Sequence, residues 1–314
     1  YDSNIYTLKL SGSAGIDYTY TYTQSGSIYS NIRLIFNTPP PSNNIFRIDV
    51  VDKEDIVNAV PSDPTVITAD STSKANYHGA MVYVADLEGK VTKINLTDKG
   101  TLYDSTILFD TLATTSNGRY IYKNLEATIN NDNNLWLYFG TGDVQKIQDQ
   151  SSSILNRLYG IKDKDFPEFK TITSRGTVSQ CKNMTSGGGA CASSADLGWY
   201  IDLPKSQKLT AMPTVKKNAV YFPIYEPSIS TNVCTTGTAI LRALNSKCGT
   251  SLLNVSIGSG VLSKVVTAGE KIIVGISGEG KNTSGFVAKD NLLIANQVGQ
   301  SETSGIKTET WKEN

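Results

Sequence analysis

The chain has 314 residues and 39% hydrophobic content, enough for one large or two ordinary domains with a real core. Charged residues make up 18%, and the 29 Lys and Arg balance the 29 Asp and Glu, which excludes the basic footprint of a general nucleic-acid binder. No apolar run approaches the ~20 residues of a membrane-spanning helix. No leader peptide is visible, so the chain reads as a mature or trimmed fragment.

Residues 1 to 37 alternate Tyr, Thr, Ile and Ser (YTYTYT at 18 to 23, IRLIF at 32 to 36). Period-two alternation predicts strands. Pro39-Pro40-Pro41 breaks the pattern before a further strand at 45 to 51, and Asp52 to Asn58 reads as one helical turn or a polar loop. After a second break at Pro61 to Pro64, residues 65 to 69 form a strand. Met81 to Leu96 (MVYVADLEGKVTKINL) then reads as a complete hairpin turning at Glu88-Gly89, where glycine takes positive φ at little cost.

Variants of that two-strand unit recur at Leu135 to Ile147, bending at Gly140-Thr141-Gly142-Asp143, at Ala219 to Leu244, and at Lys271 to Ala288. Further strands are predicted at 154 to 162, 198 to 203, 209 to 215 and, closing the chain, 306 to 311. Residues 166 to 194 read as a long irregular insertion, and no segment carries a helical stripe of 12 or more residues. The predicted class is all-β, built from a repeated blade-like module. The boundary is placed at 1–60, a β-rich segment, and 61–314, the repeated blades with the insertion.

The four cysteines fall into two local pairs. With no Cys/His cluster to suggest zinc, two disulfides are expected, each closing a short loop: Cys181 with Cys191, and Cys234 with Cys248.

Several pieces, in order, resemble the C-terminal part of the PilC/PilY family of type IV pilus tip-associated proteins. Val82-Tyr83-Val84-Ala85-Asp86-Leu87-Glu88-Gly89 is similar to the family's V-Y-x-G/A-D-x-x-G. Leu137-Tyr138-Phe139-Gly140-Thr141-Gly142 is similar to V-Y-F-G-T-G, Leu158-Tyr159-Gly160-Ile161 to F-Y-G-I/V, and Gly198-Trp199-Tyr200-Ile201-Asp202-Leu203 to G-W-Y-L-D-L. Cys234 precedes a strand as the family's cysteine does, and Trp311-Lys312-Glu313 resembles its terminal W-R-E. The match runs from about Val66 to Glu313, and the first sixty residues match poorly.

The resemblance implies a quinoprotein-like β-propeller of which this chain holds the later blades. It also implies a protein at the pilus tip and outer cell surface, acting in adhesion and pilus biogenesis and binding minor pilins and a host or abiotic receptor. Where many members carry a calcium loop, this chain has Asp70 followed by Ser, Thr and Lys74; Ca²⁺ wants six to eight oxygens, so no cofactor is expected there.

No catalytic, cofactor or metal residues are expected. His78, the single histidine, lacks a nucleophile partner and reads as a surface residue. Gly275 to Lys281 has the spacing of a phosphate loop, but a strand rather than a helix follows, so it reads as a turn. Asp52, Glu54 and Asp55 lie around Lys53, and Asp163 and Asp165 alternate with Lys162 and Lys164; both groups read as solvated turns. Asp86 and Asp143 read as turn-capping acceptors and Trp136 and Trp199 as core. The 166 to 194 insertion is the foremost candidate for contacts. A quinoprotein-like enzyme and a structural filament subunit stand as the alternatives to a non-catalytic adhesin.

Overall fold

The computed structural model describes residues 7–11, 18–25, 28–36, 47–51, 58–68, 79–98, 100–130, 134–187, 190–230, 235–283 and 285–299. His78, Asp70, Cys234, the 52 to 57 acidic stretch and the predicted terminal strand lie outside them. The chain divides into two compact units, Tyr1–Ile56 and Val57–Asn314. In the first, β1 (Thr7–Ser11), β2 (Tyr18–Ser25), β3 (Ile28–Phe36) and β4 (Arg47–Val51) form two antiparallel pairs, β1 with β4 and β2 with β3.

The described residues of the second unit form a series of four sheets. The first holds β5 (Thr65–Thr68), β6 (Gly79–Ala85), β7 (Lys90–Thr97) and β8 (Ser105–Asp110) as an antiparallel meander. The second holds β9 (Glu126–Ile129), β10 (Leu135–Gly140) and β11 (Arg157–Asp163). Two short strands follow, β12 (Gly176–Thr177) and β13 (Cys181–Asn183), and then β14 (Gly198–Asp202), which joins the second sheet beside β11. The third comprises β15 (Lys208–Leu209), β16 (Thr214–Lys216), β17 (Ala219–Glu226), β18 (Thr238–Asn245) and β19 (Ser251–Ser259). The fourth comprises β20 (Val266–Ala268), β21 (Lys271–Gly275), β22 (Phe286–Lys289) and β23 (Leu292–Asn296). The only helical turn among the described residues is Val178–Gln180. Among the described residues, no sheet closes on itself.

Strand alternation explains the stacking. Side chains of successive residues point to opposite faces, so a strand apolar at every position serves two cores. In β10, Leu135, Leu137 and Phe139 pack with Met81, Tyr83 and Phe109 of the first sheet. Trp136 and Tyr138 point the other way and pack with Val220, Phe222 and Ile224 of the third. In β17, Ala219 and Tyr221 join a third core with Ile272, Val274 and Leu293 of the fourth sheet. Consecutive sheets therefore face each other as propeller blades do.

Two glycines make room for Trp199, the largest fully buried side chain among the described residues. A Cβ on Gly160, directly opposite Trp199 across the β11–β14 ladder, would lie 2.5 Å from the indole. A Cβ on Gly249, at φ +67°, would lie 2.7 Å from it on the third sheet's side. The indole N–H donates to the Ser246 carbonyl at 2.8 Å. The Gly160 and Trp199 motifs are thus one packing device.

The structure amends several sequence expectations. The 81 to 96 hairpin is present, with Ala85 opposite Val91 and Gly89 at φ +75°. The unit at 135 to 147 is not a hairpin: residues 145 to 148 form a turn, and the partner of β10 begins only at Arg157. Nor is 271 to 288 one, because β23 lies between β21 and β22. The 209 to 215 strand is interrupted: β15 and β16 each pair with β17, with Pro213, which has no N–H to give, between them.

The cysteine pairing is also corrected. Cys191 is bonded to Cys248, across 57 residues, not to Cys181. Cys181 is a free thiol, packed against the core between the first and second sheets, and burial pushes its pKa up to about 12. The two cysteines of the supposed loop therefore serve different interfaces, and neither short-loop pairing forms at Cys191 or Cys248.

The 166 to 194 insertion is not a free surface loop. Its β12 adds parallel to β8 of the first sheet and its β13 parallel to β14 of the second. Arg175 pairs with Asp110 at 2.9 Å, Lys162 Nζ donates to the Ser193 carbonyl at 2.7 Å, and Cys191 reaches the third sheet. The segment is a strap across three sheets.

Candidate functional site

Three connections meet beyond the end of β10, where the sequence reads Gly140-Thr141-Gly142-Asp143. Each residue is constrained. A Cβ on Gly140 would lie 2.8 Å from Leu158 and 2.9 Å from Leu209. Gly142 sits at φ +149°, and a Cβ there would come within 2.6 Å of Lys208 Cβ. Its N–H donates to the Tyr120 carbonyl at 3.0 Å, and Leu209 N–H donates to the Thr141 carbonyl at 3.2 Å. The buried Thr141 hydroxyl accepts from Arg157 N–H at 2.9 Å and lies 3.2 Å from Asn156 Oδ1. Asn156 Nδ2 in turn donates to the Gln207 carbonyl at 2.9 Å. These hydrogen bonds stitch the connections after β8, β10 and β14 together.

These connections enclose a cavity of about 170 Å³. At its buried end lies Lys208, whose ammonium donates to the carbonyls of Asp149 at 2.7 Å and Ser206 at 3.1 Å. Burial lowers the Lys208 pKa, and the nearby Asp149 and Asp143 carboxylates oppose that shift. Asp143 Oδ1 accepts from the backbone N–H groups of Gln145 and Lys146, at 3.0 and 3.3 Å, which caps the turn. Ser151 Oγ lies 2.8 Å from Ser153 Oγ, and Ser153 donates to the Ser116 carbonyl at 3.0 Å. Tyr120 lines one wall and stands edge-on to Tyr122, with ring centroids 6.3 Å apart. Burial and the Asp143 carboxylate raise both tyrosine pKa values, that of Tyr122 to about 12. Lys146 and Asp149 line the cavity from exposed positions.

The sequence flagged 140 to 143 as a bend, and Asp143 caps its turn as expected. Asp86 does likewise, accepting from Lys90 N–H at 2.8 Å. Trp136 and Trp199 are buried core. The Gly275 to Lys281 loop leads into β22 with no helix. Asp163 overturns its reading as a solvated turn: it is 1% exposed, pairs with Lys93 at 2.6 Å and accepts from the Tyr83 hydroxyl at 2.6 Å. Both partners come from the first sheet, far away in sequence. Lys208, Ser151, Ser153, Asp149 and Tyr120 carried no sequence signal, because each sits in an ordinary polar loop and only the fold collects them.

No known protein-family profile matches the chain. It is 27% identical over 231 residues to a type IV pilus biogenesis factor PilY1 homolog of Xylella fastidiosa. That alignment takes in 63% of this chain but only 16% of the relative's length. Among solved structures, the C-terminal domain of Pseudomonas aeruginosa PilY1 matches with a TM-score of 0.51 at 15% identity. The match covers 79% of this chain and 63% of that domain. The four stacked sheets are accordingly those of a β-propeller architecture. In sequence and in fold the chain is similar to PilY1 proteins of the type IV pilus, as its motifs from Val82 to Leu203 had indicated.

Proposed function

We propose that this chain is part of a type IV pilus biogenesis factor that acts at the pilus tip and cell surface as a non-catalytic adhesin. The observation that carries the reading is the agreement of two likenesses, one in sequence and one in fold, on PilY1 proteins. The architecture suits the role. Sheets locked face to face, strapped by the 166 to 194 segment and cross-linked between Cys191 and Cys248, form a stiff body under load. Its connecting loops are free to vary as contact surfaces.

Minor pilins are the proposed partners within the pilus, and a host or abiotic surface is the proposed target outside it. Co-purification of the whole protein with the minor pilins of its own pilus system tests the first. A stoichiometric complex is expected, together with loss of surface pili when the gene is deleted. Normal piliation in the deletion strain and no complex with any minor pilin would overturn the reading.

A further inference from the structure

We propose that the cavity beyond β10 binds a single sugar ring, the terminal residue of a glycan. Its volume, about 170 Å³, falls below the roughly 300 Å³ at which sites for drug-sized ligands begin, so the ligand is small. The charged groups lining it are Asp143, Asp149, Lys146 and Lys208, two of each sign. A free anion would face both carboxylates, and a free metal cation both ammonium groups. A neutral ligand with many hydroxyls suffers neither conflict.

Each sugar hydroxyl both donates and accepts, and the wall offers both functions side by side. Carboxylates accept, ammonium groups donate, and the Ser151 and Ser153 hydroxyls, whose hydrogens go to Ser153 Oγ and the Ser116 carbonyl, add further acceptors. Lys208 gives two of its three N–H groups to backbone carbonyls, which leaves one for a ligand. Tyr120, half-buried in the lining, is the aromatic residue at hand for the C–H face of a pyranose. The site is also preformed. Gly142 lets Lys208 approach, Thr141 and Asn156 fix the surrounding loops, and Asp143 holds the turn carrying Lys146, so little ordering remains on binding.

The inference deepens the adhesive reading above and rests on it. Piliation in cells measures that reading, and ligand binding in solution measures the pocket, so either can fail alone. The experiment is saturation-transfer NMR on the whole protein with a panel of free neutral hexoses, pentoses and N-acetylhexosamines, alongside glycine and inorganic phosphate. At least one neutral sugar is expected to receive magnetisation at its ring protons, with neither glycine nor phosphate displacing it. Asp149→Asn and Lys146→Gln alter exposed side chains, so the unfolding midpoint should hold. Each should weaken the sugar about tenfold, the loss of one charge-assisted hydrogen bond. No transfer to any sugar, transfer unchanged in both variants, or displacement by glycine or phosphate overturns the proposal.

Discussion

The interface between the first and second sheets and the interface between the second and third use opposite faces of the same two strands, β10 and β11, yet different chemistry fastens them. The first joins an aromatic group, Phe109, Phe139 and Tyr159, to a buried ion pair between Lys93 and Asp163. The Tyr83 hydroxyl and the Glu168 carbonyl complete that pair, at 2.6 and 2.8 Å. Among the described residues, the second has no such buried pair. It relies on Trp199 in its slot between two glycines, on Tyr138 and Trp199 both donating to the Ser246 carbonyl, and on the Cys191–Cys248 bond at its margin. A charged pin sets register by direction, because one ammonium must meet one carboxylate. A packed indole sets register by shape. Each device has its own polar groups paired where one sheet meets the next.

The sharpest way to break the symmetry is at the pin. Asp163→Ala strands the Lys93 ammonium and the Tyr83 hydroxyl in the core, and removing one partner of a buried pair costs about 3–5 kcal/mol. Urea unfolding should show that loss, while Lys93→Met with Asp163→Leu should recover most of it. If the single variant unfolds with the wild-type midpoint, the pin is not structural.

At the second interface, the chain-entropy model gives about 4 kcal/mol for a bridge spanning 57 residues. Reduction, or Cys191→Ala with Cys248→Ala, should therefore lower the melting temperature while leaving the far-UV spectrum of a β protein. Peptide mapping offers a direct check on the pairing, since a Cys181–Cys191 fragment would contradict it.

A smaller effect is expected where the stitched loops meet. Gly142→Ala places a methyl against Lys208 at a φ that side chains avoid, and such overpacking costs about 1–3 kcal/mol. The cost should fall on the cavity first, so sugar binding should be lost at a denaturant concentration where the protein is still folded. Retained binding would mean that the loop relaxes freely.

The smallest effect is a pH dependence. Burial raises the pKa of Glu126, with Lys264 at 3.6 Å offsetting it in part. The folded state therefore holds this proton to higher pH than the unfolded state does. Its contribution to stability is present at acid pH, below the unfolded carboxylate range, and is lost as pH rises through the raised folded value. Relative to Glu126→Gln, the wild type should gain stability as pH falls from neutrality. A difference between the two that is flat across that range, or that grows with pH, would contradict the burial argument.

The sequence by itself determined the all-β class, the hairpin turn at Gly89, the turn-capping roles of Asp86 and Asp143, and the likeness carried by the Tyr83, Gly140–Gly142, Gly160 and Trp199 motifs. These are local signals: strand alternation, turn chemistry and short runs, each readable within a dozen residues. Only the tertiary structure decided which cysteine meets which, that Asp163 is a buried partner rather than a solvated turn, that 166 to 194 is a strap, and that Lys208 and Ser151 share a cavity with Asp143. Those facts depend on which faces of separate sheets come together. A strand's pattern states that a side chain will be buried, but the partner it is buried against is supplied by another sheet, dozens of residues away.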